Sequence, residues 1–341
     1  MSLSFRILGT AGSDNALLVQ VDSGQAVERL LFDCGDACLS DLPFAEIQAI
    51  DQLFFSHLHM DHVGGFDAFF RSTFNRQAKP NRIWGPPGTM RILQHRFQGF
   101  LWNLHEEMAA TWRVSDVHPQ EIHTARFELR EAFATAHDEG AQPYVRKLWE
   151  GEGCVVEAIT MDHRTPTLAY IVREKARRNV DTSRLSPLGL KPGPWLKQLK
   201  EASGSTDMVD IDGVMHSMNE LRERLIVETP GDSIAYLTDF LLDEPAMERL
   251  TDALQGCRVM VCEGQYRHAD IELARRNFHM TTVLAATLAE RARVEELVLF
   301  HLSDRYPRAD WLEMLKEARQ VFPKTTYPPH WDLDLSVPQQ A

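Results

Sequence analysis

Ser56-His57-Leu58-His59-Met60-Asp61-His62-Val63-Gly64-Gly65 follows directly on the apolar run Gln52-Leu53-Phe54-Phe55 and places four candidate ligands within six positions. In an extended chain, residues i and i+2 point the same way, so His57 and His59 can share one ion. Asp61 and His62 fall past the strand end, where the chain turns, and can face a neighbouring ion. The two glycines allow a tight turn before a helix that starts at Phe66. Imidazoles with a carboxylate suit zinc or manganese rather than calcium. A lone pair of histidines would be read as surface decoration; HxHxDH spacing after a strand outweighs that reading.

Outward from this cluster the chain has the composition of a globular protein, with 341 residues, 44% hydrophobic and 25% charged. No apolar run approaches a bilayer span, and the start MSLSFRILGTAG lacks the basic and apolar regions of a signal peptide, so no membrane is expected. The five cysteines (34, 38, 154, 257, 262) are odd in number and form no CxxC pair, which fits reduced thiols in a cytoplasm and excludes a disulfide scaffold. The net charge of −13 excludes a nucleic-acid platform over the whole surface.

Apolar stretches at 3–8, 16–21 and 29–32 read as a strand meander closed by Asp33-Cys34-Gly35-Asp36, followed by a helical stretch near 41–49 and the strand 52–55. Residues 66–115 show helical spacing of Phe, Leu, Trp and Met, broken by Gly85-Pro86-Pro87-Gly88, and 121–150 is ambiguous. Strands at 154–160 and 167–172 flank His163. The second half alternates strands (225–229, 233–238, 258–262, 296–300) with helices near 245–255, 281–292 and 309–320. Strands first and helix-alternating strands later predict two packed sheets with helices outside them.

The central segment resembles the metal-binding signature of the metallo-β-lactamase superfamily, and the likeness runs along most of the chain. Ile7-Leu8-Gly9-Thr10 and Leu31-Phe32-Asp33-Cys34-Gly35-Asp36 resemble that family's opening strands. Met161-Asp162-His163 sits after a strand, where the third histidine is expected; His137 is the alternative. Ala235-Tyr236-Leu237-Thr238-Asp239 resembles the strand ending in the bridging aspartate, and Leu299-Phe300-His301-Leu302-Ser303 the strand ending in the last histidine. The resemblance implies an α/β fold, the αββα four-layer sandwich, as a single domain over 1–341 with a flexible basic arm inserted at 173–225. It also implies two divalent ions, zinc or alternatively manganese. His57, His59 and His163 would hold one, Asp61, His62 and His301 the other, with Asp239 between them.

Further motifs resemble the ribonuclease Z branch, which trims the 3′ end of tRNA precursors. KPGPWLKQLK (191–200) resembles its tRNA-gripping arm. Phe278-His279-Met280-Thr281-Thr282 resembles its His-Ser-Thr motif, and Val261-Cys262-Glu263-Gly264 sits where it carries His-Glu-Ala-Thr, with Cys262 in place of the histidine. Phe300-His301-Leu302-Ser303-Asp304-Arg305-Tyr306 resembles its His-x-Ser-x-Arg-Tyr end. Residues 173–200 hold eight Lys/Arg against two acids, a local charge of +6 that leaves −19 for the rest. A basic protrusion on an acidic body is what phosphate-backbone binding needs. The implied RNA contacts are Lys191, Lys197 and Lys200, with Trp195 as a stacking surface and Arg305 on a phosphate.

The implied chemistry is two-metal hydrolysis of a phosphodiester. The ions lower the pKa of water towards neutrality and offset charge on phosphorus, and Asp61 orients the attacking hydroxide. His279, oriented by Glu263, donates the proton a departing 3′-oxygen needs, or clamps the phosphate. The competing readings are a smaller phosphodiester as substrate, a carboxylic-ester, thioester or lactone hydrolase, or a non-catalytic binding protein that has lost its ligands. The resemblance further implies a cytoplasmic homodimer in which the arm of one subunit serves the other's site.

Overall fold

Along Ala16–Asp22 the side chains alternate between two apolar clusters, with Leu17, Val19 and Val21 buried in one and Ala16 and Leu18 in the other. The same period of two separates Leu30 and Phe32 from Leu31, and Phe54 from Leu53 and Phe55. A strand whose two faces both meet apolar neighbours lies between layers. The computed structural model describes residues 2–201 and 208–333.

An eight-stranded sheet runs in chain order from Ser2–Leu8 through Ala16–Asp22, Val27–Phe32, Gln52–Phe54, Asn81–Gly85, Thr111–Val117 and Glu121–Glu128 to His137–Pro143. A seven-stranded sheet has the order Thr325–Thr326, Glu296–Phe300, Val259–Glu263, Ser233–Leu237, Pro166–Glu174, Cys154–Asp162, Lys147–Glu150. The first cluster fills the space between the sheets. It continues outside the second sheet under the helices Glu244–Leu254, Thr282–Arg291 and Arg308–Val321, through Leu250, Ala285, Leu288 and Leu315. The second cluster joins the outer face of the first sheet to Ile47, Phe66, Phe70, Leu93 and Phe97 of the helices Phe44–Gln48, Phe66–Thr73 and Thr89–Phe97. The layers are therefore helix, sheet, sheet, helix, the four-layer sandwich expected.

Parallel strands gather in the middle of the first sheet, from Val27–Phe32 to Thr111–Val117, and at one side of the second, from Ser233–Leu237 to Thr325–Thr326. Ligands in such sheets bind outside the carboxyl ends of the strands. That is where His57, Asp239, Glu263 and His301 emerge.

Several expectations are corrected. Residues 66–115 are not all helical: Asn81–Gly85 and Thr111–Val117 are strands, with Arg82, Thr111 and Arg113 half-buried among otherwise buried residues, and segments this short hold too few residues for the spacing of their aromatic side chains to tell strand from helix. Gly64 and Gly65 have ordinary negative φ (−58° and −81°), so they are not needed for a special turn. A Cβ at Gly65 would lie 2.1 Å from the Gly35 carbonyl oxygen, so glycine is required there for close approach. The gain is a pair of backbone bonds, Gly65 N–H to Cys34 O at 2.9 Å and Cys34 N–H to His62 O at 2.8 Å.

Contacts separate Glu174–Gly231 as a second compact unit. It holds the antiparallel pairs Arg177–Val180 with Ile226–Thr229 and Met208–Ile211 with Val214–Ser217, and the helices Trp195–Glu201 and Met218–Leu225. Its end lies past residue 225 because Ile226–Thr229 pairs back onto the unit's own first strand. Between 174 and 231 the chain carries nine Lys/Arg and nine Asp/Glu, so the unit is neutral overall and its basic residues lie in the first half. Arg177, Arg178 and Arg184 are engaged by Glu174, Glu228 and Asp181.

Trp195 is not a stacking surface. It is 7% exposed, packs with Leu185, Leu199 and Leu221 in the unit's own small core, and donates its indole N–H to the Lys191 carbonyl at 3.2 Å. Lys191 and Lys197 are exposed; the side chain of Lys200 lies outside the described residues. No described helix is long and apolar enough to cross a membrane.

Candidate active site

The ligand-bearing residues leave their strands by an abrupt turn of the backbone. Asp33, Asp239 and His301 each follow a buried strand and take positive φ (58°, 54° and 52°). Asp and His tolerate this left-handed region better than most residues, and a switch out of the extended conformation re-aims a side chain that would otherwise continue the strand's alternation.

Three groups of potential ligand atoms result, each within 4.8 Å of one another: His57, His59 and His163; Asp61, His62, Asp239 and His301; and Asp239, Glu263, His279 and His301. Asp239 is central. Its Oδ2 lies 3.7 Å from His57 Nε2, 3.5 Å from His62 Nε2 and 3.8 Å from His163 Nε2. Donors at zinc–nitrogen distances around a tetrahedral ion stand roughly 3.3 Å apart, so these spacings suit a shared ion. Among the described residues His57 Nε2 and His62 Nε2 are buried without a hydrogen-bond partner. An imidazole nitrogen shielded from water and left unbonded is costly unless something takes its lone pair, and a divalent ion fits that need.

The other ring nitrogens are held. His163 Nδ1 donates to the Phe278 carbonyl at 2.8 Å, leaving Nε2 as the ligand atom. His62 Nδ1 donates to Asp33 Oδ2 at 2.8 Å. Asp33 also accepts the Ser56 N–H at 2.7 Å, the Ser56 hydroxyl at 2.6 Å and the Tyr236 hydroxyl at 2.9 Å. A fully buried carboxylate with four donors fixes the tautomer and the ring plane of His62, as partners of metal-bound histidines do. Sequence reading assigned Asp33 no role, although its place after the Leu31-Phe32 strand end matches that of Asp239. Asn15 was also missed; its Oδ1 accepts the His301 N–H at 3.3 Å while its Nδ2 donates to Leu8 O and Thr10 O. His137 lies elsewhere, bonded to Glu131 at 2.7 Å, so His163 completes the histidine trio.

Electrostatics divide the histidines. Burial, helped by neighbouring His62, pushes His57 down to about 2, and burial beside His163 lowers His59. Both are neutral and keep a lone pair to give. Burial works against protonation of His62 and His301 as well, but Asp33 and Asp239 outweigh it at His62, which rises well above its usual range. Asp239, aided by Asp61 and Glu263, raises His301 to about 10. The carboxylates mirror this: burial would raise Asp61 and Asp239, yet the flanking His301 and His62 hold both well below the usual range. Without metal, protons on the second group do part of the work of a cation.

Beside these groups, His279 Nδ1 is 2.9 Å from Glu263 Oε2, and the other Glu263 oxygen accepts the Met280 N–H at 2.9 Å. Burial opposes the imidazolium of His279, but Glu263 and Asp239 raise its pKa. The exposed Arg305 lies over the Tyr266 ring at 4.7 Å, and that ring is 5.7 Å from His279. Cys262 is buried against Met280, with sulfurs 4.0 Å apart, and takes no part.

Residues 10–150 match the family described as anti-Pycsar protein Apyc1. A ribonuclease Z of Deinococcus radiodurans is 50% identical over 329 residues, spanning 96% of this chain and 98% of that protein. A ribonuclease Z of Brevibacillus brevis is 31% identical over 310 residues, 88% of this chain and 85% of its own. In structure, the metallo-β-lactamase-fold protein YhfI of Bacillus subtilis superposes with a TM-score of 0.55 at 16% identity, covering 96% of both chains. With a site built for divalent metal ions at the expected edge of this sandwich, and half of its residues shared with such a relative, the chain belongs to the ribonuclease Z family of metal-dependent hydrolases with the metallo-β-lactamase fold.

Proposed function

We propose that this chain holds two zinc ions and hydrolyses an RNA phosphodiester at the 3′ end of tRNA precursors. His57, His59 and His163 would bind one ion, Asp61, His62 and His301 the other, with Asp239 shared. When bound, the ions supply a water of lowered pKa and offset the charge that builds on phosphorus. Asp61 orients the attacking water. Arg305, held over Tyr266, neutralises a phosphate oxygen.

The observation that carries the phosphodiester reading is the Glu263–His279 bond at 2.9 Å. A departing ribose 3′-oxygen is strongly basic and needs a proton. With Nδ1 given to Glu263, Nε2 of His279 is the nitrogen left to donate it. A thiolate leaves without such help, so a thioesterase has no use for the pair. The curated relatives named ribonuclease Z support RNA as substrate. Lys191 and Lys197 of the arm, with Lys200, would hold the body of the tRNA, within a homodimer whose arms serve the partner's site.

Zinc-loaded protein assayed in parallel on a tRNA precursor, bis(p-nitrophenyl) phosphate, a thioester and a lactone tests the reading. The RNA should be cut, and Lys191→Ala/Lys197→Ala should weaken RNA cleavage by about tenfold with the small diester unaffected, since lysine–phosphate contacts act through the long polyanion. Turnover of the thioester or lactone with the RNA left intact would overturn it.

A further inference from the structure

Two arginines beside the site have no counterpart among the assigned residues. Arg164 directly follows His163, and Arg276 lies three positions before His279. Both are exposed, and neither has a carboxylate within ion-pair distance among the described residues. Arg267 and Arg275, close by in sequence, both find carboxylate partners.

The geometry around them is specific. The Arg164 guanidinium lies 4.9 Å over the Phe278 ring, and its Nη2 donates to the Arg276 carbonyl at 2.7 Å. The Arg164 backbone takes φ of 58° and that of Phe278 59°, a conformation that residues with large side chains rarely adopt. Asp162 accepts the Arg164 N–H at 2.8 Å and so braces the turn. The Phe278 carbonyl holds His163, and the His163 and His279 rings are 4.8 Å apart. One strained pair of loops therefore fixes a proposed metal ligand and, on its outer side, presents two cations to solvent. An arginine stacked on a ring keeps its outward N–H groups pre-organised in the fork that suits phosphate oxygens. Strain kept in two adjoining residues is expected where the presented group is used.

We propose that Arg164 and Arg276 form a phosphate-binding rim that takes a backbone phosphate of an RNA strand next to the one being cut, making the site selective for polynucleotides over isolated phosphodiesters. This deepens the RNA reading above and rests on it for the identity of the strand. It is independent of the arm, whose own charge sums to zero.

The test uses full-length zinc-loaded protein, Arg164→Ala/Arg276→Ala and Arg164→Lys. The readouts are kcat and KM on a short RNA bearing the cleavage site, hydrolysis of bis(p-nitrophenyl) phosphate, and zinc content. Anisotropy of a labelled single-stranded RNA is followed in a His59→Ala background. The double variant should raise KM for RNA about tenfold with kcat within about twofold, and make the dependence of log affinity on log salt shallower by about 0.7 unit, the share of one neutralised phosphate on a single strand. The small diester and the zinc content should not change, and Arg164→Lys should recover part of the loss. Equal losses on both substrates with zinc released would overturn the proposal, because the arginines would then merely brace His163; so would RNA kinetics unchanged by the double variant. If the wild-type protein binds RNA without cutting it and the double variant loses that binding, the rim stands and the RNA-hydrolase reading falls. If the wild type cuts RNA and the variant cuts it equally, the reverse holds.

Discussion

His279→Ala is expected to slow cleavage of an RNA phosphodiester by about 10²–10⁴-fold while leaving hydrolysis of bis(p-nitrophenyl) phosphate within a few-fold of wild type, the range usual for loss of a positioned general acid. The split follows from the leaving groups. A ribose 3′-oxygen departs with a pKa far above neutrality and needs the proton, whereas p-nitrophenolate is stable as it leaves. Glu263→Gln should show the same split more weakly, because Glu263 raises the pKa of His279 and holds its Nδ1. Equal losses on the two substrates, accompanied by lost zinc, would instead make His279 a ligand in the group it shares with Asp239, Glu263 and His301.

His59→Ala is expected to reduce turnover of every substrate by at least about 10³-fold and zinc content from two ions per chain to one, because the metal pair supplies both nucleophile and charge stabilisation. His59 is exposed, so the loss should come without unfolding. Calorimetry of zinc uptake in buffers of different ionisation enthalpy adds a second signature. His301 is pushed up to about 10 and His62 also lies above its usual range, so both carry protons at neutral pH without metal. A group with a raised pKa keeps its proton until the pH passes the raised value, so zinc must displace it, and affinity should fall as pH falls. His57 and His59 are lowered and release nothing. The single zinc site left in His59→Ala should therefore keep the wild-type proton release. Uptake without proton release would place zinc elsewhere.

What the sequence disclosed and what it hid follow one physical line. His57, His59, Asp61 and His62 lie within six positions, from just past the strand Gln52–Phe54 into the helix Met60–Val63, so local geometry alone gathers them. Asp239 and His301 each end an apolar run, but it was the family resemblance, with their ordered recurrence at strand ends, that marked them as ligands. Asp33 looked the same, but its work depends on Ser56, His62 and Tyr236, which lie 23, 29 and 203 positions away. The Arg164 contact to Arg276 spans 112 positions and is equally invisible. Trp195 was misread because its local sequence is basic and Pro-rich, while its burial is set by Leu221 and Leu225 from a later helix. The strands Asn81–Gly85 and Thr111–Val117 were lost among aromatic residues that suit either secondary structure.

The most direct test of the account is cleavage of a tRNA precursor by zinc-loaded protein in ¹⁸O-enriched water, with mass analysis of both products. Water attack on phosphorus with departure of the 3′-oxygen predicts one solvent oxygen in the 5′-phosphate of the released trailer and a free 3′-hydroxyl on the tRNA body. An unlabelled trailer beside a 2′,3′-cyclic phosphate, or no cleavage of the precursor, would contradict it.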